Sequence, residues 1–224
     1  LSETLEPKRV SNVLITMQAV KSSSQLNQIL DLSTAQFMRL GIKSVSMDDL
    51  ASEMGISKKT LYQHFENKKD LVTQSISRHI QQEENLIQEI VRTSTDAIDE
   101  MAQIAEHTVI HFREIRPSLI HDLQKYYRDI WDIVVQLHSV FIKTKIEDNI
   151  NRGISEGYYR KNADADIISK LYVAKSFSLV DERLFSLTDY NREHLITQHI
   201  LYHLHGLLSD TGRGHLNHFQ LFKD

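Results

Sequence analysis

The chain has 224 residues, room for a small domain beside a larger one, and its 41% hydrophobic and 25% charged residues are ordinary for a globular protein. The absence of cysteine excludes a disulfide framework, a thiolate metal site and a cysteine nucleophile, in keeping with a reducing cytoplasm, and no apolar run approaches the roughly 18 residues of a membrane-spanning helix. The formal net charge of −4 argues against a general polyanion binder, but the charge is uneven: residues 1–80 hold 10 Lys+Arg against 8 Asp+Glu, which leaves 16 against 22 for residues 81–224.

Only 7 Gly and 2 Pro leave little material for turns and predict long helices; no convincing alternation of period two predicts a strand. Lys8 and Arg9 precede an apolar-leaning stretch over 10–20, the outline of a leader peptide. Ser11, Asn12, Thr16 and Gln18 make that stretch too polar, and Lys21-Ser22-Ser23-Ser24 is a poor cleavage site, so residues 1–22 are expected to form a helical or mobile arm. Leu26, Ile29, Leu30, Phe37 and Leu40 then recur at helical spacing and stop at Gly41, a residue suited to the left-handed position after a helix end. Ser46 is expected to cap a short helix with Asp48 and Asp49 in its first turn and Leu50, Ala51 and Met54 inward. Gly55-Ile56-Ser57 breaks the chain, and Ser57 caps a second short helix over 58–65 whose Leu61 and Phe65 point to the core. Glu66-Asn67 is the next break. A helix from Lys68 carries Leu71, Val72, Ile76 and Ile80 through the polar Gln81-Gln82-Glu83-Glu84 stretch as a connector.

Later helices are expected over 97–115, 117–127, 128–154, 166–187 and 190–208, with 212–224 as a tail. Pro117 suits a first turn, and Gly153 and Gly157 flank the end of the longest helix. Ile130, Ile133, Val134, Leu137, Phe141, Ile146 and Ile150 form an apolar stripe and are read as core. Trp131, near Tyr126 and Tyr127, is a candidate for lining a ligand cavity, although aromatics at this spacing more often pack. The expected fold class is all-α: an arm over 1–22, a three-helix helix-turn-helix domain over 23–79, and a larger helical domain over 80–224.

Two short helices joined by a glycine turn set the second one free to enter a major groove, but such pairs are common in any helical protein. The lysines distinguish this one. Between Ser57 and Lys69 the chain has four lysines and one glutamate. Lys58 and Lys59 occupy one helix start, Lys68 and Lys69 the next, where a cation opposes the helix dipole and forgoes the roughly 0.3–1 kcal/mol that an anion would gain. Phosphate is the natural compensating partner, because free N–H groups at a helix start already favour it. Thr60, Tyr62, Gln63 and His64, lying between the lysine pairs, can meet phosphate, a base edge or a thymine methyl. A solvated lysine face is the plain alternative.

The runs Gly41-Ile42-Lys43-Ser44-Val45-Ser46-Met47-Asp48-Asp49-Leu50-Ala51, Met54-Gly55-Ile56-Ser57-Lys58-Lys59-Thr60-Leu61-Tyr62-Gln63-His64-Phe65 and Asn67-Lys68-Lys69-Asp70-Leu71 closely resemble the TetR/AcrR family of regulators. The resemblance covers about residues 24–75; beyond it the likeness is in size and helicity alone. It implies an all-helical homodimer whose helix over 58–65 reads a palindromic double-stranded DNA operator, most often as a repressor released by a small-molecule effector. In the family the position matching Thr60 touches DNA, those matching Tyr62 and His64 contact the backbone, and Lys68 matches a phosphate clamp. Ser57, Lys58, Lys59 and Gln63 complete the expected DNA-binding set. Asp48 departs from relatives that carry a basic or hydroxyl residue there, which leaves Ser46 as the one expected contact from the preceding helix. Leu171, Leu179, Leu195 and Leu201 are candidates for a dimer-forming helix pair.

The sequence has 12 histidines, and His107 with His111, and His199 with His203, are each four apart on one helix face, a spacing that can hold zinc or nickel. Neither pair encloses the glutamate of a metallohydrolase motif, and no carboxylate stands out beside either in sequence. Both pairs are read as structural, His199 and His203 with His205 as partly buried polar positions at a dimer interface, and no metal, cofactor or enzymatic activity is expected. A helical metal-dependent enzyme and an interaction protein without DNA binding are the competing readings; the cytoplasm is the expected location, with no membrane partner.

Overall fold

The computed structural model describes residues 7–181, 183–186 and 188–216, with side chains from residue 24 onward except 112–114. The described elements are α1 Pro7–Leu40, α2 Met47–Glu53, α3 Lys58–His64, α4 Lys68–Thr93, α5 Ala97–Glu114, α6 Pro117–Tyr126, α7 Arg128–Gln136, a π-helical turn Leu137–Ile142, α8 Lys143–Glu156, α9 Ala165–Ser178, α10 Arg192–Leu207 and α11 Asp210–Leu216. Among the described residues there is no strand beyond an isolated bridge between Tyr159 and Leu208. No described helix is long and apolar enough to cross a membrane.

Local capping chemistry sets the first half of the fold. Ser46 and Asp49 form a reciprocal capping box, Asp49 N–H donating to Ser46 Oγ at 3.1 Å and Ser46 N–H to Asp49 Oδ2 at 2.8 Å. Ser57 Oγ accepts Thr60 N–H and Asn67 Oδ1 accepts Asp70 N–H, so α3 and α4 start where their side-chain acceptors stand. Gly41 takes φ +82° at the end of α1, the left-handed geometry the sequence called for. α1 is continuous from Pro7, so the segment expected as an arm runs straight into the first helix of the small domain.

The helix expected over 128–154 is interrupted by the π turn, and the one expected over 166–187 ends at Ser178. Beyond Ser178 the polar side chains compete with the helix: Asp181 Oδ1 accepts Arg183 N–H at 3.0 Å, and Ser186 Oγ accepts Thr188 N–H at 3.2 Å. Residues 212–216 of the expected tail belong instead to α11, Asp210–Leu216, and residues 217–224 lie outside the described ones. Ser209 Oγ accepts Gly212 N–H and donates to Gly157 C=O at 2.7 Å, while Leu216 is buried, so this last helix closes over the second core.

Among the described residues three hydrophobic clusters divide the interior, the smallest being Ile87, Ile90 and Ile104 between α4 and α5. The first joins Phe37, Leu50, Leu61, Phe65 and Leu71 of the small helical unit to Leu119, Leu123 and Ile130 from α6 and α7. The second gathers α5, α8, α9, α10 and α11 around Met101, Ile150, Tyr159 and Leu204. The small unit therefore shares its core with α6 and α7.

α9 and α10 carry an outward face. Ile167, Leu171 and Tyr202 are more than half exposed, and Lys175 Nζ stands 4.1 Å over the Tyr202 ring. Beneath that face His203 is buried, its ring edge-on to Tyr172, and its Nε2 makes no hydrogen bond among the described residues. Burial, then the neighbouring His199 and Lys175, push the His203 pKa down to about 3. The folded ring stays neutral at pH values where the unfolded ring, near 6.5, takes a proton, so the unfolded state binds more protons as pH falls below 6.5. Stability is then fully present above about pH 6.5, and the contribution of this ring shrinks by about 2 kcal/mol by pH 5. Urea unfolding at the two pH values should show this loss in the wild type and a smaller one in His203→Gln. Equal losses in both proteins would refute the assignment.

Candidate nucleic-acid interface

α3 is held from behind and open in front. Leu61 and Phe65 are buried in the first core, while Lys58, Lys59, Tyr62 and Gln63 face outward and Thr60 and His64 stand at the edges of that face. Gly55, at φ +64° with open space where a Cβ would stand, makes the tight turn between α2 and α3, and Ile56 N–H donates to Ala51 C=O to close it. The result is a short helix anchored by two apolar side chains, presenting two cations, a phenol and an amide to solvent. Such a face can donate to phosphate oxygens and to base edges in the same approach.

The structure gives the expected residues unequal freedom. Lys58 Nζ pairs with Asp48 Oδ2 at 2.8 Å, and that hydrogen bond holds the ammonium above its ordinary value. Asp48, the departure noted in the sequence, is thus an intramolecular counter-ion for the first lysine of α3. Lys69 pairs with Asp129 of α7 at 2.8 Å, and Lys68 Nζ donates to Ile42 C=O at 2.6 Å. Burial pulls the Lys68 ammonium below its ordinary value. Lys59 makes no hydrogen bond or ion pair among the described residues and is exposed. Ser46 Oγ is engaged in its own cap, accepting from Asp49 N–H and donating to Asp49 Oδ2 at 2.7 Å. Ser57 Oγ and Thr60 Oγ1 lie 2.8 Å apart, so the Thr60 hydroxyl shares its hydrogen bond with the cap.

A joint fixes this unit to the larger helices. Arg116 N–H donates to Met38 C=O at 2.9 Å, Lys43 N–H donates to Asp122 Oδ2 at 2.7 Å, and Lys43 Nζ sits 4.3 Å over the Tyr126 ring. Asp122 is buried there. None of these contacts was foreseen from sequence, because Lys43 and Asp122 are far apart along the chain and neither belongs to a motif.

Behind the joint lies a cavity of about 230 Å³, with Ile80, Ile104, Leu123, Trp131, Phe177 and Ile200 among its lining residues. Trp131 does line it, whereas Tyr126 is exposed and Tyr127 packs on the first core. One stretch of wall is polar: His79 and Glu83 of α4 meet His107 and His111 of α5. His107 Nε2 lies 2.7 Å from Glu83 Oε2, which raises the His107 pKa, while burial lowers that of His79. Burial would push the Glu83 carboxyl up, but His107 and His111 outweigh it and the net shift is down. The sequence did contain a signal for this cluster. His79 and Glu83 share the helix face of Ile76, Ile80 and Ile87, and a polar pair on an otherwise apolar face asks for a partner.

An exposed, basic and aromatic helix seated across a capped companion by a glycine turn is the reading helix of a helix-turn-helix DNA-binding protein. Residues 29–74 match the family model described as bacterial regulatory proteins, tetR family. The HTH-type transcriptional repressor KstR2 of Mycolicibacterium smegmatis is 23% identical over 150 residues, covering 65% of this chain and 73% of the relative. A transcriptional regulator from Cytophaga hutchinsonii superposes with a TM-score of 0.67 at 16% identity, over 83% of this chain and 99% of the other. The regulator FadR of Bacillus subtilis, solved with stearoyl-CoA, superposes with a TM-score of 0.57 at 16% identity, over 80% and 97%. Residues 29–74 are thus similar to the DNA-binding unit of the TetR family, and the likeness of the longer chain to a transcriptional repressor and to solved regulators of the same fold supports a DNA-binding transcriptional regulator.

Proposed function

We propose that the protein is a cytoplasmic, homodimeric repressor that occupies a palindromic double-stranded DNA operator and is released when a small, largely apolar effector enters the cavity. The observation that carries this reading is that α4 belongs to both sites: its first turn fixes the α1–α2 loop through Lys68 and Ile42, and its middle lines the cavity through Ile76, His79, Ile80 and Glu83. A shift of α4 forced by an occupant of the cavity would be felt at the loop beside the reading helix. Residues 23–79 read DNA and residues 80–224 bind effector and dimerise, with 1–22 as an arm. The exposed Ile167, Leu171 and Tyr202 of α9 and α10 supply an apolar face for a second copy. In the dimer the two α3 helices enter successive major grooves, roughly 34–36 Å apart.

Within α3, Thr60 and Gln63 read bases, Tyr62 and His64 meet the DNA backbone, and Lys59 meets a phosphate. Lys58 reaches phosphate by exchanging Asp48 for it. Ser46 and Ser57 contribute from the helix starts, where their N–H neighbours also face the backbone. Lys68 serves mainly by holding the Ile42 loop in place.

Salt titration of DNA affinity separates these roles. Lys59→Ala should weaken binding across all duplexes and reduce the slope of log affinity against log salt by about one. Thr60→Ala or Gln63→Ala should leave the slope and change which sequences are preferred, by about 1–3 kcal/mol at the affected base pair. Unchanged slope in the first and unchanged preference in the others would refute the assignment.

A further inference from the structure

The polar stretch of the cavity wall has the donor chemistry of a metal site, independently of the DNA-binding reading. His79 and Glu83 are four apart on α4, and His107 and His111 are four apart on α5, so each helix offers an adjacent pair to the other. One ligand atom each from His79, Glu83 and His111 lies within 4.8 Å of the others. His79 Nε2 and His111 Nε2 are 3.3 Å apart, with the rings stacked at 24°. Two imidazole nitrogens bound to one tetrahedral zinc, each roughly 2.0–2.1 Å from the metal, lie roughly 3.3–3.4 Å apart.

His107 has a different place. Its Nε2 is 2.7 Å from Glu83 Oε2, a hydrogen-bond distance shorter than the spacing of two ligands on one ion. Glu83 Oε1, the oxygen outside that hydrogen bond, lies 4.0 Å from His111 Nδ1, so a cation held between His79 Nε2 and His111 Nε2 would draw Oε1 round toward the Nε2 side of the ring. His107 therefore holds one carboxylate oxygen and leaves the other for a cation, the orienting arrangement that metal-binding carboxylates use.

We propose that His79, Glu83 and His111 form a binding site for a late first-row divalent cation of the zinc class, with His107 as the positioning residue for Glu83. Two imidazoles and one carboxylate match the ligand preferences of such ions, and the site would clamp α4 to α5 at the wall of the cavity. From the sequence His107 and His111 are read as structural, because no carboxylate stands out beside them. Helix packing supplies it.

Cobalt is a suitable probe because its visible absorption reports coordination. The full chain, stripped with a chelator and carrying no affinity tag, should take up one equivalent of Co2+ saturably and release it to Zn2+. His79→Ala and His111→Ala should each weaken uptake at least about 100-fold, and His107→Ala about 10- to 100-fold. His194→Ala, an exposed histidine on α10, should leave it unchanged. Glu83→Gln keeps the shape of the side chain while weakening the donor, and serves should an alanine variant fail to fold. No saturable uptake by the wild type, or wild-type affinity in Glu83→Gln or in a folded His79→Ala or His111→Ala protein, would overturn the proposal.

Discussion

Arg152→Ala is expected to lower the unfolding free energy by about 3–5 kcal/mol, the cost of breaking a buried ion pair from one side. The Glu100 carboxylate is 2% exposed, and Arg152 Nη1 meets its Oε2 at 2.9 Å. The same guanidinium donates to Ser94 Oγ at 2.8 Å and Ser94 C=O at 3.1 Å, and its Nε donates to Glu156 Oε1 at 2.7 Å. Glu156 in turn accepts Ala97 N–H at the start of α5, and Asn149 and Tyr159 both donate to Ala97 C=O. One arginine on α8 thus organises the N-terminal end of α5. Removing it leaves Glu100 in a site where burial already pushes its carboxyl up. Urea unfolding measures the loss, and Glu100→Gln added to Arg152→Ala should recover part of it by removing the unpaired charge. A loss below about 1 kcal/mol would show that the carboxylate finds other partners.

Gly41→Ala is expected to cost about 2–5 kcal/mol from two separable sources. At φ +82° any Cβ carries the left-handed penalty of about 1–2 kcal/mol. A Cβ there would also lie 2.7 Å from Ser118 Oγ and 2.9 Å from Ser118 Cβ, and relieving such overpacking costs about 1–3 kcal/mol more. Gly55 provides the internal control: it has φ +64° and open space, so Gly55→Ala should show the backbone part alone. Ser118→Gly combined with Gly41→Ala should recover the packing part. Equal losses at Gly41 and Gly55 would contradict close packing of the α1 terminus on α6. Because Gly41 lies beside both Lys43–Asp122 and Ile42–Lys68, its variant is also expected to loosen the joint between the reading unit and the cavity.

What was legible in the sequence was what local chemistry decides. Ser46, Ser57 and Asn67 each cap a helix whose start they announced, Gly41 takes the conformation its position required, and Leu61 and Phe65 point inward at their spacing of four. The tertiary partners of polar groups were not legible. Lysines at two helix starts called for anions; the fold supplies Asp48 to Lys58, Asp129 to Lys69 and a backbone carbonyl to Lys68, which leaves Lys59 as the cation without a partner among the described residues. The histidine pairs on α5 and α10 looked alike in sequence. Packing sets one against Glu83 and His79 and buries His203 of the other under Tyr172, a difference that depends on neighbours distant in the chain. The π turn in the longest helix and the early end of α9 were missed because continuous apolar periodicity hides such interruptions.

The central claim is that α3 reads a specific, two-fold operator. The most direct measurement is selection from a pool of random duplex DNA by the purified full chain, followed by sequencing of the bound fraction. An enriched inverted repeat whose half-sites change with substitutions at Gln63 or Thr60 is the predicted result; a bound fraction with no sequence preference, or a preference indifferent to those substitutions, would contradict it.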